Sequence, residues 1–212
     1  MTWALHGYFR SSAAWRVRVA LGLKGVSYVN SFHHLRRGEQ RAPEYLRLNP
    51  QGLVPALQLE DGRVLTQSLA ICEYIDEAVP EPPLLPKDPY AKAKVRAFAQ
   101  VIACDIHPLQ NLKVLNRLRA LDLSEATVND WARAVVDEGL HACASLLEET
   151  PAGAFCFGDS PTLADIFLVP QLGNARRFGV ELRWPRLLEV EARCNALPAF
   201  RDAAPDNQPD AE

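Results

Sequence analysis

Along its first third the chain changes hydrophobic period several times. Trp3 to Tyr8 alternates as a short strand, Ser12 to Lys24 spaces its apolar residues as a helix, and Tyr28 to Phe32 returns to a strand. Pro43 to Leu48 reads as a short irregular helix. LVPALQLEDGRVLTQS then sets two apolar runs about Asp61-Gly62, a dipeptide suited to a tight hairpin. Gln67 to Ala78 follows as a helix, with Leu69, Ile71, Cys72, Ile75 and Val79 supplying an apolar face. The order β-α-β-α-β-β-α predicts an α/β sheet domain over residues 1–81.

PEPPLLPKDP, Pro80 to Pro89, carries too many prolines for a helix or strand, so 82–88 reads as a stiff linker. Beyond it the strand period disappears. Tyr90 to Ala120 and Ser124 to Glu149 have helical spacing throughout, two or three shorter helices follow from Thr162, and 89–212 is expected to be an all-helical domain. Thr162-Leu-Ala-Asp165 fits a variant capping box, a folding signal in which the aspartate reaches back to an orphan N–H. The polar tail from Asp206 is expected to fray.

The 212 residues, 48% hydrophobic and 23% charged, suit two modest domains with their own cores. A net charge of -3 gives no global attraction to nucleic acid or to anionic lipid. No apolar run reaches the length of a membrane span and no basic segment precedes a long apolar one, so a cytoplasmic protein is expected. Five cysteines, odd in number and widely spaced, cannot form a full disulfide framework and contain no C-x-x-C pair; buried thiols are the expectation. His33 and His34 have no partner at ligand spacing, so no metal is expected.

Three stretches could carry chemistry. FRSSAAWRVRVALGLKG places Ser11 and Ser12 where a helix begins, either to cap it or to hold a ligand. Val54-Pro55-Ala56 puts proline at a strand start; a cis bond there would leave the Val54 backbone open to pair with an extended ligand. Gln67-Ser68 opens the next helix, whose unsatisfied N–H groups with the Ser68 hydroxyl suit a carboxylate, or else form an ordinary cap.

FRSSAAWRVRVALGLKG, LNPQGLVPAL, QSLAICEYI, DIHPLQNLKVL and GDSPTLADIFLVPQLGNARRF, in this order and spread over nearly the whole chain, resemble the zeta class of the cytosolic glutathione transferases. That class includes maleylacetoacetate isomerases and bacterial maleylpyruvate isomerases. The resemblance implies a thioredoxin-like domain binding glutathione, a helical domain completing the substrate pocket, and a homodimer. It places Ser11 against the glutathione sulfur with Ser12 beside it, and Gln40, Val54, Gln67 and Ser68 on the tripeptide's backbone and carboxylates. His107 and Asn111 would continue the glutathione site, with His107 binding rather than acting as a base. Arg10 and Arg177, with Lys113 as a further candidate, would meet the substrate acid. The usual signature Ser-Ser-Cys-x-Trp-Arg has Ala13 in place of its cysteine, which leaves the glutathione sulfur as the nucleophile.

A free thiol ionises near pH 8.5, and lowering that by about two units takes about 2.7 kcal/mol of preference for the anion. A charge-assisted hydroxyl bond offers about 1.5 to 3 kcal/mol and a helix N-terminus about 0.3 to 1. The implied reaction adds this thiolate to a maleyl double bond, lets the resulting single bond turn, and eliminates the trans product. Maleylacetoacetate is the expected substrate. Maleylpyruvate isomerisation, general zeta-class transferase activity, and a domain kept only for binding are the alternatives.

Overall fold

The computed structural model describes residues 2–150 and 153–212. The chain divides into two compact units, Met1–Leu84 with Asn195–Glu212, and Leu85–Cys194. In the first, β1 (Trp3–Gly7), β2 (Tyr28–Phe32), β3 (Ala56–Gln58) and β4 (Val64–Thr66) form one sheet in the order β2-β1-β3-β4. The β1–β2 pair is parallel and the other two are antiparallel. Helix α1 (Ser12–Leu23) makes the crossover that a parallel pair requires, and α2 (Pro43–Leu48) and α3 (Ser68–Ala78) complete the β-α-β-α-β-β-α order that the hydrophobic pattern predicts and the thioredoxin-like domain that the resemblance implies. The hairpin turns at Gly62, whose φ of 86° is one that glycine adopts without strain.

Alternation along β1 sorts its side chains between two faces. A Cβ on Gly7 would lie 3.2 Å from Ala14 of α1, and Trp3 meets Tyr74 of α3 with ring centroids 5.9 Å apart. His6 therefore points the other way, where it meets Tyr45 of α2. There its Nδ1 lies 3.0 Å from Nε2 of His33, and the two rings stack. Sequence separation hid this pairing.

Burial lowers the pKa of His6 against a raising hydrogen bond from Gln58, while burial and then His6 lower that of His33 against Glu39. Both rings are thus held neutral, one N–H donating to the other nitrogen. A histidine whose folded pKa is depressed contributes stability above its unfolded value and loses it as pH falls below about 6.5. The urea midpoint is expected to drop between pH 7.5 and 5.5, and His33→Gln to make that drop smaller. Equal drops in both proteins would show that the pair does not titrate.

The expected linker is tied down at its start. Lys24, its side chain fully buried, donates to Asp76 at 2.6 Å and to the carbonyls of Pro80 at 3.3 Å and Pro82 at 2.5 Å, while Asp76 also accepts from the Leu84 N–H. A buried ammonium is tolerable only with such a set of acceptors.

The expected frayed tail is ordered instead. Helix α9 (Pro198–Asp202) packs on α1, where Gly22 admits Ala199 so closely that a Cβ would lie 3.1 Å from it. A 3₁₀ turn, Pro205–Asn207, follows, and the segment from Asn195 groups with the first unit although the sequence reading assigned it to the helical half.

In the second unit, α4 (Pro89–Gln100), α5 (Leu112–Arg119), α6 (Glu125–Glu148), α7 (Leu163–Arg177) and α8 (Pro185–Asn195) follow in turn. The expected continuous helix from Tyr90 to Ala120 is broken. After α4 a π-helical segment, Val101–Ile106, widens the coil, and the His107 N–H reaches back five residues to Ile102. Pro108, without an N–H, cannot continue the ladder, and the chain restarts at Asn111. Gly139 of α6 leaves the space that Ile106 of the π segment fills. Among the described residues no helix is long and apolar enough to cross a membrane.

Candidate active site

The chain leaves β1 through a turn closed by the Ser11 N–H donating to Tyr8 O at 3.0 Å. Ser11 then caps α1, with φ −71°, ψ 112° and its Oγ accepting from the Ala14 N–H at 3.2 Å. This bond uses a lone pair of Oγ and not its hydrogen, so capping and donation to a ligand are compatible in one serine. Ser11 is half-buried, Ser12 is buried in the first turn, and no acidic residue sits in that turn to oppose an anion. Ala13 is buried where the family signature has a thiol.

Register brings the Val54 and Gln67-Ser68 segments to the end of the sheet where β1 leaves for Ser11. His6 pairs with Ala56 and Ala56 with Thr66, so β3 begins and β4 ends at the level where β1 finishes. Val54-Pro55 is cis, and the β3 ladder starts at Ala56, which leaves the Val54 peptide groups outside it. Leu53, just before, is fixed by two donors to its carbonyl, Tyr45 Oη at 2.6 Å and Asn49 Nδ2 at 2.7 Å. These positioning side chains were not singled out from the sequence, although LNPQG reads as a turn.

Gln67 occupies the N-cap of α3 at φ 71°, ψ 114°, a backbone state that costs a non-glycine residue about 1–3 kcal/mol. It makes no side-chain cap bond; its Nε2 donates to Gln51 Oε1 at 2.9 Å instead. The first N–H groups of α3 therefore have no carboxylate of the chain in their turn. Ser68 is buried and is not the N-cap. Its Oγ accepts from Arg16 Nη1 at 3.2 Å, so Arg16, 1% exposed, ties the Ser11 helix to the Gln67-Ser68 turn. Gln40 stands in a 3₁₀ turn with Nε2 donating to Leu35 O at 3.4 Å, and its buried Oε1 has no partner among the described residues. Arg10 is half-buried beside Ser11.

This set fits glutathione on its own chemistry. A peptide edge at Val54 suits an extended tripeptide, an uncapped helix start at Ser68 suits a carboxylate, and the orphaned Gln40 oxygen accepts from an N–H or ammonium.

The remaining candidates lie in the second unit. His107 is half-buried at the end of the π segment, and Asn111 caps α5 by accepting from the Lys113 N–H at 3.0 Å. Lys113 is exposed on α5. Arg177 ends α7, its guanidinium 4.9 Å from the Phe178 ring centroid.

Protein thiols do not compete as nucleophiles in the cores. Burial pushes Cys72 and Cys143 up to about 12 and raises Cys156 and Cys194 well above the usual thiol range. Cys104, expected to be buried, is exposed because its position on the π segment faces outward.

Residues 10–78 match the family model described as glutathione S-transferase, N-terminal domain, and residues 96–201 match the glutathione S-transferase C-terminal domain. The chain is 49% identical over 209 residues to the maleylacetoacetate isomerase of Pseudomonas aeruginosa, with 97% of each chain covered. It superposes on a holo maleylpyruvate isomerase, a bacterial zeta-class glutathione S-transferase, with a TM-score of 0.95 at 43% identity, covering 99% of this chain and 100% of the other. For the maleylacetoacetate isomerase of Anaeromyxobacter dehalogenans, solved with glutathione bound in its active site, the values are 0.90 and 45%, covering 100% and 98%. The chain belongs to the glutathione S-transferase family, in the zeta-class branch of the maleylacetoacetate and maleylpyruvate isomerases.

Proposed function

We propose that this protein is a glutathione-dependent cis-trans isomerase that converts maleylacetoacetate to fumarylacetoacetate. The observation that carries the reading is the Ser11 cap, which orients Oγ through the Ala14 N–H and keeps its hydrogen for an incoming sulfur. Glutathione, when bound, would supply the thiolate for reversible addition to the maleyl double bond. The chain's part is to hold that sulfur ionised and the substrate acid in place.

In this reading the Ser11 hydroxyl and the start of α1 stabilise the anion, with Ser12 beside them. Val54 pairs with the tripeptide backbone, and Gln40, Gln67 and Ser68 hold its polar ends. His107 and Asn111 extend the contacts to glutathione. Arg10 and Arg177, with Lys113, neutralise the carboxylates of the substrate. Arginine suits this work because its planar fork grips a carboxylate through two bonds. A homodimer in the cytoplasm completes the proposal, and sedimentation velocity tests the dimer.

A second reading has one observation in its favour. The superposition on the maleylpyruvate isomerase, at TM-score 0.95, is as close as any reported above. Its substrate differs by a shorter keto arm, so pocket lining decides between them. Parallel turnover assays with maleylacetoacetate and maleylpyruvate are expected to give the higher kcat/KM for the first and no turnover of either without glutathione. Preference for maleylpyruvate would exchange the two readings, and conversion of neither would refute both.

A further inference from the structure

The turn that carries Arg10 and Ser11 is held from outside its own helix. The Phe9 N–H donates to Asp210 Oδ2 at 2.9 Å, across 201 residues of chain. The carbonyl of the same residue accepts from Arg18 Nη2 at 3.0 Å, and the Arg18 Nε donates to the Ala203 carbonyl at 2.9 Å. Both peptide groups of Phe9 are thereby tied to the 203–210 segment, one directly and the other through Arg18. Arg18 is 4% exposed, and burial draws its pKa down only to about 10, so it remains a charged donor at neutral pH.

Farther along, Glu212 lies 2.9 Å from His34 Nε2 and 3.7 Å from Arg37. These pairs are partly exposed, which limits what they contribute. They do bring the segment's last carboxylate near the same turn: burial and then Glu212 raise the pKa of the Tyr8 phenol, against Arg36 and Arg10. Phe9 is two residues from Ser11, and the Ser11 N–H hangs from Tyr8 O.

We infer that Asp210 is a positioning residue for the thiolate site, clamping the Tyr8–Arg10 turn so that the Ser11 hydroxyl is held where it meets the glutathione sulfur. The inference rests on the reading of Ser11 given above. Its sign separates it from electrostatics. A negative charge near a thiolate raises the thiol pKa, so a purely electrostatic Asp210 would lower that pKa when replaced by either Ala or Asn. A positioning Asp210 raises it when replaced by Ala and not when replaced by Asn, which keeps an acceptor for the Phe9 N–H. Asparagine fits, because Oδ1 of Asp210 has no partner among the described residues and its place can take an NH₂.

The test follows thiolate absorbance of glutathione bound to the full chain against pH, with kcat and KM for glutathione measured in parallel. Asp210→Ala is expected to raise the bound thiol's pKa by about 0.5 to 1 unit and to lower kcat about tenfold at pH 7, with KM changed less than twofold. Asp210→Asn is expected to stay within about twofold of the parent in kcat. The inference is overturned if Asp210→Ala keeps the parent pKa and kcat while Ser11→Ala loses them. It is also overturned if Ala and Asn behave alike, which marks the contact as charge or packing only. A Ser11→Ala protein with an unchanged thiolate signal would instead sink the underlying reading of Ser11, and the inference with it.

Discussion

Ser11→Ala is expected to lower kcat/KM about 30-fold at pH 7 while leaving the protein folded. Losing one hydroxyl bond to an anion removes about 1.5 to 3 kcal/mol, which moves the thiol pKa up by about one to two units. A thiol shifted from about 6.5 to about 8.5 falls from roughly three quarters ionised at pH 7 to a few per cent. The deficit must therefore shrink as pH rises: near pH 9.5 both enzymes hold mostly thiolate, and their rates should converge. Ser11 also accepts the Ala14 N–H, so the alanine variant should lose about 1 kcal/mol of stability as well. Two further substitutions part these roles. Ser11→Asp keeps a cap acceptor but brings a negative charge to the sulfur, so stability should hold while activity falls. Ser11→Thr keeps both functions and should stay within a few-fold of the parent. A pH–rate profile that does not move in Ser11→Ala would remove the hydroxyl from the chemistry, whatever the drop in rate.

The dual role of Ser11 marks where sequence reading reaches and where it stops. The βαβαββα order was legible because each element of the first unit is short and bounded by a change of hydrophobic period or by a turn residue, as at Asp61-Gly62. The break after α4 was not, because apolar residues keep recurring at steps of three and four across it, at Ile102, Ile106, Leu109, Leu112 and Leu115. Pro108 was the available signal, and periodicity outvoted it. The site candidates came from motif order, and Arg16, the last residue of the serine signature, reads there as a structural brace for the loop, but the group that each positioning side chain reaches has no local signature. Arg16 reaches Ser68 across 52 residues, and Asp210 reaches Phe9 across 201. Gln67 shows the same limit in its backbone. Nothing in its side chain announces a φ of 71°; that conformation comes from β4 ending and α3 beginning around it. The ordered tail was missed for a related reason, since its polar composition conceals the two bonds by which Arg18 and Asp210 fasten it.

Asp165→Asn is expected to destabilise the protein nearly as much as Asp165→Ala, by about 3 kcal/mol in each case. The capping box was read from four letters of sequence, and the structure makes it more than a helix cap. Asp165 is 0% exposed; its Oδ2 accepts from the Thr162 N–H at 2.8 Å and the Thr162 hydroxyl at 2.9 Å, and its Oδ1 accepts from the Cys156 N–H at 2.8 Å. One carboxylate thus joins the start of α7 to the loop nine residues earlier. Because both oxygens accept, an asparagine must turn its NH₂ toward a donor and leave that donor unsatisfied. At a simple cap, where one acceptor suffices, asparagine would replace aspartate with little loss, so the Asn variant distinguishes the two cases. For a chain of this length the loss corresponds to a melting temperature lower by about 10 °C. Burial, against these hydrogen bonds, raises the carboxyl pKa above its ordinary value. Asp165 touches no candidate site residue through these bonds, so kcat of the folded fraction should be unchanged while the yield of folded protein falls. An Asn variant that melts with the parent would reduce Asp165 to an ordinary cap.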